Sequence, residues 1–181
     1  LIKNYKNMIT MNFKELKNLV LVIGKTEGHI DQSLFARTIL DEINGPPPEI
    51  NLFNEKNNGE TLLSLIEKDY VKSAHDVSLG GLITALSKMC IKGNKGINLQ
   101  KPKILMNEIE YFFAEDQGRY IIEINPINLS SVIKILEKNA VHYDELGVIE
   151  EKYMTINKKT KVTIDELKSY NTNWLNNFMS S

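Results

Sequence analysis

Two short stretches hold the residues best able to do chemistry. The first runs His75, Asp76, Val77, Ser78, Leu79, Gly80, Gly81, Leu82. It sets an imidazole that titrates near neutral pH beside a carboxylate, then a hydroxyl and two glycines. In an extended chain neighbouring side chains point to opposite faces, so His75 and Asp76 are not expected to form a dyad with each other. Either one is a candidate catalytic group lining a cleft. Hydrogen bonds that simply fix the turn account for both without catalysis, and that reading is preferred. Ser78 has the chemistry of an N-cap, its hydroxyl accepting from an amide of the first helical turn. Gly80 and Gly81 allow another backbone or a ligand to approach those amides, and a helix N-terminus of this kind suits a phosphate. The second stretch is Glu115, Asp116, Gln117, Gly118, Arg119. Its polar side chains are candidates for a substrate cleft. The preferred alternative is that Arg119 pairs with Glu115 or Asp116 across a surface turn, an interaction worth under about 1 kcal/mol.

Other motifs are weaker. Gly24, Lys25 and Thr26 follow an apolar run, but a phosphate loop needs a glycine where Leu19 stands. His29 and His142 have no partners at ligand spacing, so no metal site is expected. The lone Cys90 cannot form an internal disulfide and reads as a small core residue. The lysines of residues 152–161 are few and lack interleaved aromatic residues, and the formal net charge is -1. No nucleic-acid partner is expected, and no membrane partner. The longest aliphatic run, LVLVI at residues 19–23, is too short to span a bilayer. A cytoplasmic location follows by default.

The elements that must position these residues alternate. Residues 8–13 read as a strand, and residues 19–23 as a strand apolar on both faces, buried within a sheet. Residues 31–43 have helical spacing, with Leu34, Phe35, Ile39, Leu40 and Ile43 on the buried side, and Gly45 with Pro46, Pro47 and Pro48 ends them. Asn57, Asn58 and Gly59 suggest a turn before a helix over 60–69. A strand leads into His75, and the helix after Gly81 buries Leu82, Ala85, Leu86, Met89 and Cys90. A strand at 96–99, one at 120–124 and a helix at 128–139 come next. Strands at 142–149, 152–156 and 161–164 precede a closing helix at 165–178, whose Trp174 and Phe178 are expected to pack on the core. The fold class is α/β (α+β), one mixed sheet covered by helices.

HDVSLGGL (residues 75–82) closely resembles the HDVSDGGL signature of the phosphoribosylformylglycinamidine (FGAM) synthases, in the aminoimidazole ribonucleotide (AIR) synthetase superfamily. Leu79 stands where the family has an acidic residue, so no role of that carboxylate carries over. IGKTEGHIDQSLFARTIL (23–40), the triple proline followed by NEKNNGE (54–60), FAEDQGRYIIEI (113–124) and the ending with Trp174 and Phe178 resemble the same family in the same order. The resemblance implies an AIR-synthase-type C-terminal domain, partly ferredoxin-like, over residues 18–181. Residues 1–17 would be a lead-in and the last strand of a preceding domain, mostly missing. The start at Leu1 rather than methionine suggests an excised piece. By the same resemblance, FAEDQGRY forms a strand-turn-strand, and the corresponding turn of the family's first half contacts the substrate. The whole enzyme is implied to use ATP and Mg²⁺, with the catalytic histidine and most nucleotide ligands outside this chain. This part alone is expected to bind neither strongly. Its partners would be the remaining domains and a glutamine amidotransferase subunit. The alternatives are a stand-alone interaction module, or a part of another enzyme of the superfamily.

Overall fold

The computed structural model describes residues 5–102 and 105–180. Seven strands form one sheet: β1 (Leu19–Ile23), β2 (Val71–Asp76), β3 (Gly96–Leu99), β4 (Tyr120–Ile124), β5 (Tyr143–Glu150), β6 (Tyr153–Ile156) and β7 (Thr160–Thr163). They lie in the order β2-β4-β1-β5-β3-β6-β7. Only β3 and β6 run parallel. β1 is apolar throughout because both faces are covered: Val20 and Val22 enter one core, Leu21 and Ile23 the other. The helices α1 (Leu52–Glu67) and α4 (Leu129–Lys138) cover the second core. The first is covered by α2 (Gly81–Gly93), α3 (Glu108–Phe113) and the start of α5 (Ile164–Met179). The units β1-α1-β2 and β4-α4-β5 place their strands as β2-β4-β1-β5, which is the ferredoxin-like plan. Between them α2, β3 and α3 are inserted, and β6 and β7 widen the sheet.

The α2 stripe forms as its spacing predicts, with Leu82, Leu86, Met89 and Cys90 fully buried. Elsewhere local signals were overridden. Residues 31–43 give only a short π-helix, Ala36–Leu40, ended by Asp41 at φ +56°. Leu34, Ile39, Leu40 and Ile43 are exposed rather than buried, and Phe35 packs on Phe113 at 4.8 Å. Helix α1 starts at Leu52, not residue 60, because the Asn51 side chain caps it by accepting from the Asn54 amide at 3.0 Å. Asn57, Asn58 and Gly59 therefore lie inside a helix. Their turn propensity is offset by tertiary bonds, among them Asn58 Nδ2 donating to the Gly118 carbonyl at 2.9 Å. No strand leads into the Glu115 turn, as a strand-turn-strand beginning at Phe113 would require; Phe113 instead ends helix α3, which is started by a reciprocal Asn107–Glu110 capping box. Trp174 and Phe178 do not reach the core. Their rings stack on each other at 5.8 Å, and each is more than half exposed.

Residues 8–13 form no strand. Instead Phe13 is buried against α2, its amide directed at the Met89 carbonyl, and residues 14–18 are bonded to β4 and β5. Ile9 packs against the core beneath α1 and α4, whereas Met11 and Phe13 join the other. This strap crosses between the faces of the sheet.

Candidate functional site

His75 and Asp76 end β2, the strand at one edge of the sheet. They are in contact after all: His75 Nδ1 lies 3.0 Å from Asp76 Oδ1. Asp76 is the last residue of the strand, where extended alternation stops dictating the side-chain direction. The imidazole is mostly enclosed, at 11% exposure, and the carboxylate is open at 64%. A carboxylate on Nδ1 leaves the other ring nitrogen as the atom open to a second partner. That atom, Nε2, is buried without a hydrogen-bond partner among the described residues. Beside it opens a concavity of about 550 Å³ walled by Thr10, Met11, Leu62, Ala74 and Tyr120.

The helix that follows is capped differently from expectation. Its N-cap is Gly80, in the left-handed region at φ +82°, and Ser78 is exposed two residues earlier. The Gly80 amide donates to Glu115 Oε1 at 2.8 Å, and the same oxygen accepts from the Leu34 amide at 2.7 Å. The Gly81 amide donates to the Ser78 carbonyl at 2.9 Å. The anion at this helix N-terminus is thus the chain's own glutamate, where it also meets the helix dipole favourably. Gly81 is required by contact as well as by φ: a Cβ there would lie 2.6 Å from the Ala114 carbonyl oxygen.

The turn from Glu115 to Arg119 is a knot of buried charge rather than a surface pair. Asp116 accepts three consecutive amides, those of Glu27, Gly28 and His29, at 2.9, 3.1 and 3.1 Å. The Arg119 side chain is fully enclosed, with Nη1 3.9 Å from Asp116 Oδ2. It donates to the Ala114 carbonyl, the Asp116 carbonyl and Thr26 Oγ1. Burial pushes the Arg119 guanidinium below its usual range, opposed by the charge of Asp116. Gln117 alone faces outward, donating to the Glu115 carbonyl at 3.2 Å.

A cleft of about 1190 Å³ is walled in part by this turn. Its walls come from the loop after β1, the proline passage, the first turns of α1 and the start of β5. They include Lys25, His29, Asn54, Glu55, Gln117 and His142. The two histidines, remote in sequence, therefore share one cleft. His29 Nε2 lies 2.8 Å from the Pro46 carbonyl. His142 Nε2 lies 3.6 Å from Asp144 Oδ1, and Asp144 Oδ2 accepts from the Tyr111 hydroxyl at 3.0 Å. Burial, then Asp144, push the Tyr111 hydroxyl up, so it stays a donor. Glu27 lies 2.8 Å from the Lys25 ammonium and raises its pKa. Nothing in sequence spacing announces this set, because four separate segments supply it. Among the described residues no three His, Cys, Asp or Glu side chains are grouped to hold a metal ion. None of the described helices is long and apolar enough to cross a membrane.

Residues 18–157 match the model of the family described as AIR synthase related protein, C-terminal domain. The chain belongs to this family. The matched residues include strands β1 to β6 and both polar clusters. All 181 residues align, at 65% identity, with phosphoribosylformylglycinamidine synthase subunit PurL of Pelagibacter ubique (strain HTCC1062), covering 100% of this chain and 25% of that protein. The PurL of Bartonella quintana (strain Toulouse) is 34% identical over 99% of the chain and 24% of its own length. The chain thus spans about a quarter of the curated relatives it matches. Among solved structures, Thermotoga maritima PurL complexed with FGAR superposes with a TM-score of 0.74 at 20% identity, over 90% of this chain and 29% of that one. At that identity the likeness is one of fold. It bears out the mixed sheet covered by helices expected from the sequence.

Proposed function

We propose that this chain is the C-terminal domain of an FGAM synthase of the PurL type. The observation that carries the reading is the match of all 181 residues to a PurL subunit at 65% identity. A stand-alone module or another superfamily enzyme would not be expected to match PurL over its whole length. The whole protein would convert formylglycinamide ribonucleotide, ATP and glutamine-derived ammonia to the amidine, in the cytoplasm, with Mg²⁺. Its ammonia would come from a glutamine amidotransferase partner. In this reading residues 18–181 form the domain, and residues 1–17 lead in from a preceding one.

The share of this domain is architectural. Asp116 holds the amides of residues 27–29, which line the large cleft, and Glu115 ties the Gly80 turn to Leu34 further along the same loop. His75, Asp76, Ser78, Gly80, Gly81, Glu115, Asp116, Gln117 and Arg119 then shape a wall rather than perform the chemistry. The test is a chimaera in which this chain replaces the matching quarter of Pelagibacter ubique PurL. ATP- and ammonia-dependent FGAM formation is expected from the chimaera and not from the isolated chain. A folded but inactive chimaera, or turnover by the isolated chain, would overturn the reading.

A further inference from the structure

Glu123 is the one acidic residue inside β4, and it is fully buried. Its two oxygens receive four donors. Oε2 accepts from the Lys14 amide and the Ser73 hydroxyl, both at 2.8 Å. Oε1 accepts from the Glu15 amide at 3.0 Å and from Asn18 Nδ2 at 2.7 Å. Every contact is a donor, the set that an ionised carboxylate can satisfy. Three of the four belong to the strap that precedes β1, and the fourth to β2, two residues before His75. The strap is held further along by the Lys17 amide on the Ile149 carbonyl at 2.9 Å, and by the Ile149 amide on the Asn18 carbonyl at 3.0 Å. Upstream of these anchors the same strap supplies Thr10 and Met11, which wall the concavity beside His75. A buried imidazole nitrogen with no partner calls for an explanation, and the strap shares with His75 the lining of one concavity.

We propose that Glu123 is a positioning residue for His75: it fastens the strap so that Thr10 and Met11 close one side of the His75–Asp76 pair. The pair is then assembled by the segment leading into the domain as well as by β2, and displacement of that segment opens His75 Nε2 to solvent or to a ligand. This holds whether or not the synthase reading is correct, since it concerns only residues of this chain.

The experiment uses the 181-residue chain and its Glu123→Gln variant. Amide hydrogen exchange is followed over residues 13–18, and carbethoxylation of each histidine by diethylpyrocarbonate is followed by mass spectrometry. Loss of charge-assisted bonds should cut protection of the strap by roughly tenfold or more. His75 should then react several-fold faster, with His29 and His142, which line the other cleft, keeping their wild-type rates as internal controls. Unchanged strap protection would overturn the proposal, and so would a loosened strap that leaves His75 at its wild-type rate. If all three histidines accelerate together, the variant has unfolded and Asn18→Ala, which removes one strap contact and leaves the carboxylate, takes its place. With Asn18→Ala, a selective rise at His75 supports the proposal and a wild-type rate overturns it.

Discussion

Asp116→Ala would remove the acceptor of three backbone amides and the carboxylate beside a guanidinium that water cannot reach. The amides of Glu27, Gly28 and His29 lie in a loop that is only partly enclosed, so water can replace much of what they lose. Arg119 has no such recourse, being 1% exposed. Removing one partner of a buried ion pair costs about 3–5 kcal/mol. The Nη1–Oδ2 separation of 3.9 Å is long, and Arg119 keeps its bonds to two carbonyls and Thr26, so the low end applies, about 3 kcal/mol. With a urea m-value of about 2 kcal/mol/M, the unfolding midpoint should fall by roughly 1.5 M. Arg119→Met should cost less, because Asp116 would keep its three amides. The double variant should therefore be less damaged than the two single losses added together. A midpoint for Asp116→Ala within about 0.5 M of wild type, at unchanged m-value, would refute the argument that Arg119 depends on this carboxylate.

Burial pushes the Cys90 thiol from 9.0 up to about 12. Above pH 9 the unfolded chain gives up this proton first, so stability should fall by about 1.4 kcal/mol per pH unit up to about pH 12. Cys90→Ala should flatten that slope in alkaline urea titrations, and parallel slopes for the two proteins would count against it. Gly81→Ala would place a Cβ 2.6 Å from one backbone atom and 2.7 Å from another at φ +69°, and should cost about 3 kcal/mol or prevent folding. Gly59→Ala, whose Cβ would meet only Tyr120 Oη at 3.7 Å inside α1, should instead stabilise by about 0.5–1 kcal/mol, read as a rise in melting temperature. Leu86→Ala in the core should cost about 2–5 kcal/mol, against about 1 kcal/mol or less for the exposed Trp174→Ala. Equal losses would mean that the Trp174 end of α5 is packed in solution.

What could be read from sequence followed how local its cause was. The LVLVI strand, the α2 stripe and the strands near the C-terminus are each determined by short-range periodicity, and each forms where its residues predict. The segment at 31–43 has the same kind of pattern yet forms only one short π-helix. Phe35 packs on Phe113 and Ala36 is buried, but Leu34, Ile39, Leu40 and Ile43 meet no covering element in the described structure, and periodicity cannot reveal a missing neighbour. Asn57, Asn58 and Gly59 failed in the opposite direction. Their helix is fixed by the Asn51 cap upstream and by a bond from Asn58 to a turn sixty residues away in sequence, neither visible in the triplet itself. Glu123 was read only as part of a strand, and its role depends on a strap more than a hundred residues earlier.

The two clusters with the most chemical appearance teach a related point. A glycine-marked helix N-terminus and a loop of successive amides look, in sequence, like places for an anion, and physically they are. In this fold the anions are side chains. Glu115 lies at the Gly80 amide, and Asp116 lies across residues 27–29. A glutamate held by Gly80 and Leu34 also fixes where the β2–α2 turn sits relative to the loop that walls the cleft. An external phosphate would have to displace Glu115 and leave that carboxylate in need of new partners, a cost borne before any binding is gained. The side chains that line the two concavities are others: Lys25, His29, Gln117 and His142 along the large cleft, and the His75–Asp76 pair beside Thr10 and Met11. Glu115→Gln should accordingly loosen the β2–α2 turn before it affects any ligand. Amide exchange at Gly80 and Leu34 would register this as lost protection, and unchanged exchange at both would show that the glutamate is not the cap.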